Sequence, residues 1–214
     1  MNRRSAKHWE KLVDALAAWL DELRPGPLEQ VRIITSSAAT ARLVGQALAA
    51  RIGILAGVDL LPVDRWVTQL QAELNDGESS PWRGLALELA IREVLQDLDF
   101  QESHPVVAEH LRTGPGRLRG PSQRLAVLLH RYSEHHPELL ARWLTDPEEA
   151  AGELPMHLRW QPELTARVTE ILEWDPVEEL TRLRAALTEK PGPATAVFHC
   201  PDLPAATHLL LDAI

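Results

Sequence analysis

Residues 31–62, VRIITSSAATARLVGQALAARIGILAGVDLLP, pass from an apolar segment through a Ser-rich turn into a helix of small residues, then into Gly53-Ile54-Leu55-Ala56-Gly57-Val58-Asp59. Val31–Thr35 reads as a buried strand and Ala39–Arg51 as a helix that Gly53 stops. The small residues Ala39, Ala41, Gly45, Ala47, Ala49 and Ala50 permit close packing of that helix on a sheet. Together these make a strand-turn-helix unit of the α/β kind. This is where a nucleotide-binding domain carries its phosphate loop. Such a loop needs glycines so that backbone N–H groups wrap the phosphates, a Lys for the terminal phosphates, and a Ser or Thr for magnesium. The turn Thr35-Ser36-Ser37-Ala38-Ala39-Thr40-Ala41-Arg42 has no Gly and no Lys. No ATP hydrolysis is expected from it, and no cofactor or metal.

Working outward, Trp9, Leu12, Val13, Leu16, Trp19 and Leu20 fall on one stripe of an amphipathic helix over Trp9–Leu23, ended by Arg24-Pro25-Gly26-Pro27. From Asp64 to Lys190 the pattern is helical throughout. Its punctuation lies at Asn75–Ser80, Gly114-Pro115-Gly116, Thr145-Asp146-Pro147 and Trp174-Asp175-Pro176. Ser80-Pro81 and Asp175-Pro176 read as cap-then-Pro helix starts. Ala194–His199 returns to strand character, and a helix follows from Ala205. The expected fold is α/β and predominantly helical by residue count: a parallel sheet whose crossover is expanded into a large inserted helical subdomain. Residues 1–63 and 191–214 form the α/β core, and 64–190 the insertion. Two strands make a poor sheet, so the chain reads as the front of a longer polypeptide.

With 214 residues and 45% hydrophobic content the chain can bury a sizeable core. No apolar run approaches the roughly 20 residues that cross a bilayer, so no membrane contact and a cytoplasmic location are expected. Cys200 is the one cysteine, which excludes an internal disulfide, and its place after an apolar strand points to a buried, inert thiol. The formal charge of −9 excludes a protein whose whole surface grips nucleic acid. Any such contact is local. Basic charge gathers without acids over Leu111–Arg124, in Arg112, Arg117, Arg119 and Arg124, which reads as a loop between helices that is either solvated or in contact with phosphates.

Three residue sets invite chemistry. His130, His135 and His136 lie close in sequence, but a spacing of five sets the first two about 500 degrees apart on a helix, off the shared face that a zinc site uses. The acidic pairs Glu148-Glu149, Glu178-Glu179 and Asp97 with Asp99 sit in no nuclease pattern and read as solvated helix faces. Seven tryptophans stand against one tyrosine and two phenylalanines, and Trp can stack on bases of a single strand. Trp9, Trp19, Trp143 and Trp174 fall on apolar stripes and are expected in the core. Trp66 and Trp82 are less committed and are candidates to touch a ligand.

The order of these segments resembles the start of the gamma subunit of exodeoxyribonuclease V, the RecC family of bacterial helicase-nucleases. There a strand, a Ser-containing turn and an amphipathic helix ending in a basic residue and Gly precede a segment like Gly-Ile-Ala-Ala-Asn-x-Asp-Phe-Pro-Leu-Pro. Here Ser36-Ser37 is followed by Arg51-Ile52-Gly53-Ile54-Leu55-Ala56-Gly57-Val58-Asp59-Leu60-Leu61-Pro62, one residue short between Asp59 and Pro62. Tyr132 with Pro137-Glu138-Leu139-Leu140-Ala141-Arg142-Trp143 is similar to the family's Tyr…Arg-Pro-x-Trp-Leu-x-x-Trp helix pair. Trp160-Gln161-Pro162-Glu163-Leu164 is similar to its Trp-Gln-x-x-Leu segment, and Ala196–Pro204 stands at its strand and Leu-Pro-Pro turn.

The resemblance implies a P-loop helicase-like domain (superfamily 1, domain 1A-like) that has lost ATPase chemistry and is itself no enzyme. It implies that the domain reads single-stranded DNA for a regulatory octamer, Chi, during double-strand break repair. Carried over by position, the reading residues fall on Ser36, Ala38, Arg42, Leu61 and Val67, with His130 and Arg131 on a later helix. Arg117 and Arg119 join them as local basic contacts. The implied partners are single-stranded DNA in the assembled complex, a beta (RecB-like) helicase-nuclease subunit and an alpha (RecD-like) helicase subunit. Ala38 cannot bond a base edge and Val67 stands where an aromatic is expected, so the octamer read is different or absent. The competing expectation is an acidic helical protein-interaction module that touches no nucleic acid. An enzyme of another type has no supporting constellation.

Overall fold

The computed structural model describes residues 8–26, 29–75, 77–112, 118–190 and 192–214. In chain order the elements are α1 (Trp9–Leu23), β1 (Val31–Thr35), α2 (Ala38–Ile52), β2 (Val58–Pro62), α3 (Val63–Leu74), α4 (Gly84–Gln96), α5 (Leu98–Ser103) and α6 (Pro105–Arg112). Then come α7 (Arg119–His135), α8 (Pro137–Thr145), α9 (Pro147–Glu153), a 3-10 turn at Met156–Leu158, α10 (Gln161–Leu172), α11 (Pro176–Glu189), β3 (Ala194–Phe198) and α12 (Ala205–Leu211). The chain divides into two compact units. One is built from the chain up to Ser79 with Leu183–Leu203 and His208–Ile214, the other from Ser80–Arg182 with Pro204–Thr207.

The first unit holds the sheet, which is α/β in kind but has three strands where two were expected. The order is β2-β1-β3, all parallel, with Val31 opposite Val58 and Ala194, and Thr35 opposite Pro62 and Phe198. The added strand, β2, follows Gly57. That glycine takes a φ of +73°, accepts the Val31 N–H at 2.9 Å, and would bring a Cβ to 2.9 Å from the Glu29 carbonyl oxygen. Only a residue without a side chain makes that approach at no cost. One sheet face is covered by α1 and α2: Val13, Leu16, Leu20, Val44 and Leu48 pack on Val31, Ile33 and Phe198. Gly45 lets α2 lie close to β2, since a Cβ there would stand 2.8 Å from a Leu60 methyl. Of the expected core tryptophans, Trp19 packs against this cluster, whereas Trp9, the first residue of α1, is 46% exposed.

The second unit is helical, with a core of its own around Leu87, Ile91, Phe100, Leu129, Leu140 and Leu164. Trp143 is buried there, and Trp160 and Trp174 pack against it. Trp66, in the first unit, and Trp82, in the second, are each 2% exposed, so neither offers a ring to a ligand. Ser80-Pro81 does not start a helix. The Ser80 hydroxyl is buried and donates to Glu179 Oε2 at 3.0 Å, and α4 begins at Gly84. Glu179 is correspondingly not on a solvated face: it is 5% exposed and also accepts the Trp174 Nε1–H at 3.2 Å. Asp175-Pro176 does start a helix, with Asp175 Oδ1 accepting the N–H groups of Val177 and Glu178. Arg119–Arg124, expected in a loop, is the first part of α7, where Ser122 is buried and donates to the Leu118 carbonyl at 2.5 Å.

Candidate functional site

In a parallel sheet the strand C-termini share one edge, and the gap where successive connections leave in opposite directions opens a crevice there. With the order β2-β1-β3, the connection from β1 goes to one neighbour and the chain returns to the other side, so the gap lies between β1 and β3. The segment after β1 runs Ser36-Ser37 into α2. Ser37 caps α2, its Oγ accepting the Thr40 N–H at 3.1 Å, and Ser36 Oγ lies 3.1 Å from Thr40 Oγ1. Thr35, fully buried, donates to the Ser37 carbonyl at 3.1 Å. The turn is therefore held by its own hydroxyls. Ala38 and Arg42 stand one turn apart on the same face of α2, both exposed.

The other candidate residues of this unit lie near the end of β2. Leu61 is buried at 3% exposure, and Val67 is half-buried in α3, which packs on β1 and β2. Sequence reasoning missed the segment after β3. His199 and Asp202 both take left-handed backbone (φ +47° and +55°), and Cys200 lies between them with its Sγ 3.5 Å from the Phe198 carbonyl and 4.0 Å from that of Ile34. This loop stands beside the Ser36 turn; its sequence signals are the return to strand character just before it and the Asp202-Leu203-Pro204 turn, neither of which marks a site. Burial pushes the Cys200 thiol up to about 11, so it is a poor nucleophile near neutral pH.

At the opposite edge, where the strands begin, a cavity of about 560 Å³ is lined by Leu20, Arg24, Arg51, Ile52, Leu55 and Val58, among others. Ile54 beside it is 86% exposed. Arg51 is tied to Asp14 at 2.6 Å.

In the helical unit, α7 carries His130 and Arg131. A ring nitrogen of His130, Nδ1, lies 3.2 Å from the Trp82 carbonyl and its Nε2 3.6 Å from Glu134, so the ring is anchored to its own unit. Arg131 and Arg119 are exposed. Arg117 lies outside the described residues. Elsewhere in this unit Asp97 caps α5 and faces Arg167. The Phe100 N–H at 2.8 Å, followed by the Arg167 charge, holds the Asp97 carboxyl below its usual range, with burial opposing. Arg167 also pairs with Glu163 at 2.7 Å, and Glu163 with His104 at 2.8 Å. Among the described residues no group of three or more His, Cys, Asp and Glu gathers to hold a metal ion. No helix among them is long and apolar enough to cross a membrane.

A family model for the RecC N-terminal domain matches residues 2–214. The RecBCD enzyme subunit RecC of Mycolicibacterium smegmatis is 25% identical over 223 residues, covering 98% of this chain and 19% of that protein. The RecBCD enzyme subunit RecC of Mycobacterium tuberculosis is 25% identical over 236 residues, covering 98% of this chain and 20% of that protein. The chain thus spans about a fifth of the length of these curated relatives.

Proposed function

The chain belongs to the RecC N-terminal domain family, and from that premise we propose that it is the opening region of the gamma subunit of a RecBCD-type helicase-nuclease. In this reading it is an inactivated P-loop helicase-like domain that guides single-stranded DNA and scans it during double-strand break repair, alongside RecB-like and RecD-like subunits. One observation carries the loss of motor chemistry. The turn after β1 has neither Gly nor Lys, and its hydroxyls are engaged in capping α2 and bonding one another, where a phosphate loop would present free backbone N–H groups.

The strand-handling face in this reading is the C-terminal edge of the sheet. Arg42 supplies an exposed guanidinium for phosphate or base stacking. Ser36 and Ala38 border it, while Leu61 and Val67 lie at and just after the end of β2. Ala38 offers no base-edge bond, so the octamer read differs from that of members with a polar residue there, or is absent. Arg119, Arg131, His130 and Arg117 belong to the same task on the helical unit.

In the assembled complex, Arg42→Ala is expected to weaken single-strand binding severalfold and to make its salt dependence shallower by about 0.7 in log–log slope, the amount for one lost phosphate contact. An unchanged affinity and slope would overturn the assignment of this face. A second reading, a protein-interaction module, is favoured by exposed Ile54 and Ile52 beside the cavity at the other edge of the sheet. It is distinguished by an absence of any salt-dependent DNA binding in the complex.

A further inference from the structure

On the helical unit, Arg119 and Arg131 belong to a longer surface row that adjoins a cavity. Along α7 the residues Arg119, Gln123, Arg124, Val127, Arg131 and His135 are exposed, and they span less than half of the helix circumference. None is acidic, in a chain of formal charge −9. The single acid of α7, Glu134, lies against His130. Among the described residues no ion pair or hydrogen bond engages the guanidinium of Arg119, Arg124 or Arg131, whereas Arg112, Arg142 and Arg167 of the same unit have carboxylate partners. Arg124 and Arg131 are seven apart and nearly in line, separated by about 10 Å of helix rise.

Beside this row lies a cavity of about 630 Å³ between α6 and α7, within the roughly 300–1,000 Å³ of small-molecule pockets. Its wall is mostly apolar, with Leu95, Val107, Leu111, Leu125 and the Trp160 side chain, but His110 also lines it and Arg124 stands at the side that joins the basic row. Trp160 is fixed from behind, its Nε1–H donating to the His157 carbonyl at 2.8 Å. Glu109 also lines the cavity, and its carboxylate faces Arg112 at 3.4 Å.

Unpaired guanidinium groups beside an apolar, tryptophan-walled cavity match a polyanion that carries flat apolar groups. We propose that this is a binding site for single-stranded DNA, in which backbone phosphates follow Arg119, Arg124 and Arg131 and one base enters the cavity against Trp160. The proposal rests on the reading that the protein handles a single strand, and adds a place and a mode of contact on the helical unit. Charge steers the strand to α7, and withdrawal of a base from water into the cavity adds a sequence-tolerant contribution. An apolar peptide would fill the cavity but has no use for the unpaired cations.

The test uses the full chain, alone and in the assembled complex, with oligodeoxythymidine carrying 5-iododeoxyuridine, an abasic oligomer of equal length, and titrations at several salt concentrations. Photo-crosslinking is expected to map to Trp160 or to the α6 and α7 segments, with the abasic strand bound about tenfold more weakly. The double variant Arg124→Ala, Arg131→Ala is expected to reduce the log–log salt slope by about 1.4. Trp160→Ala removes a core contact and risks the fold. Val106→Glu is therefore the companion variant: Val106 is 65% exposed at the cavity and leaves the core untouched. It is expected to weaken the base-bearing strand and leave the abasic one nearly unchanged. Crosslinks confined to the Ser36–Arg42 segment, with Val106→Glu neutral, would overturn this site and leave the proposed function standing. Absence of crosslinks anywhere, with no DNA affinity, would overturn both.

Discussion

Asp97 shows how a single side chain in this protein is tied to pH. Its Oδ1 accepts the Phe100 N–H at the start of α5 and the Arg167 Nη1–H at 3.1 Å. Both interactions favour the charged form, so its folded pKa lies below the ordinary 3.8. The unfolded chain then binds the proton more readily. The stabilising contribution is fully present above the ordinary value and is lost as pH falls through the depressed folded one. Asp97→Asn keeps an oxygen for the cap but removes the charge. The urea midpoint of this variant is expected to lie below wild type at pH 7 and to converge with it as pH falls below the ordinary 3.8 and through the depressed folded value. Parallel curves over that range would show that the charge contributes nothing. The neighbouring pairs Arg167–Glu163 and Glu163–His104 remain in place in the variant, which isolates Asp97.

At the scale of elements, the segment before α4 is held to α11 by a polar contact buried in the helical unit. Glu179 Oε2 accepts from Ser80 Oγ and Trp174 Nε1, and the carboxylate is 5% exposed. Glu179→Ala strips both donors of their acceptor and is expected to cost about 3 kcal/mol by urea unfolding, while Glu179→Gln, which retains one acceptor oxygen, costs less. A loss under about 0.5 kcal/mol for the alanine variant would mean that water replaces the carboxylate. This contact also explains a misreading. Ser80-Pro81 has the form of a helix start, but the hydroxyl bonds a residue 99 positions away, which no local rule reveals. The strands divide in the same way. β1 and β3 are apolar runs and legible as such, whereas β2 carries Asp59 and ends in Pro62, and its strand character comes from register with β1, where Asp59 faces Arg32 at 3.7 Å. Trp66 and Trp82 each stand beside an arginine in sequence, and Trp82 is buried by a cluster drawn from distant helices. Of the candidate site, the turn Ser36–Arg42 was legible because the missing Gly and Lys are local facts. The His199–Asp202 loop was not, since its place beside that turn follows only from the sheet order. The basic stripe of α7 was visible as a run of arginines, but its helical alignment was hidden by Gly120-Pro121.

For the molecule as a whole, the two units each bury an apolar cluster of their own, one on the sheet and one among the helices. A strand-guiding role asks the sheet edge around Arg42 and the α7 surface to hold their shapes, and the stability of each surface is set by the core beneath it. Val44 and Leu140 are both completely buried, in the sheet cluster and the helical cluster respectively. Truncation of either to Ala leaves a cavity worth about 2–4 kcal/mol. Hydrogen exchange followed by peptide mass analysis then reports where the loss is felt. Val44→Ala is expected to raise exchange in β1, β2 and α2 while α4, α7 and α10 keep their protection, and Leu140→Ala to do the reverse. If either substitution raised exchange evenly over both sets, the two cores would form one cooperative unit, and a change at the sheet edge would then loosen α7 as well.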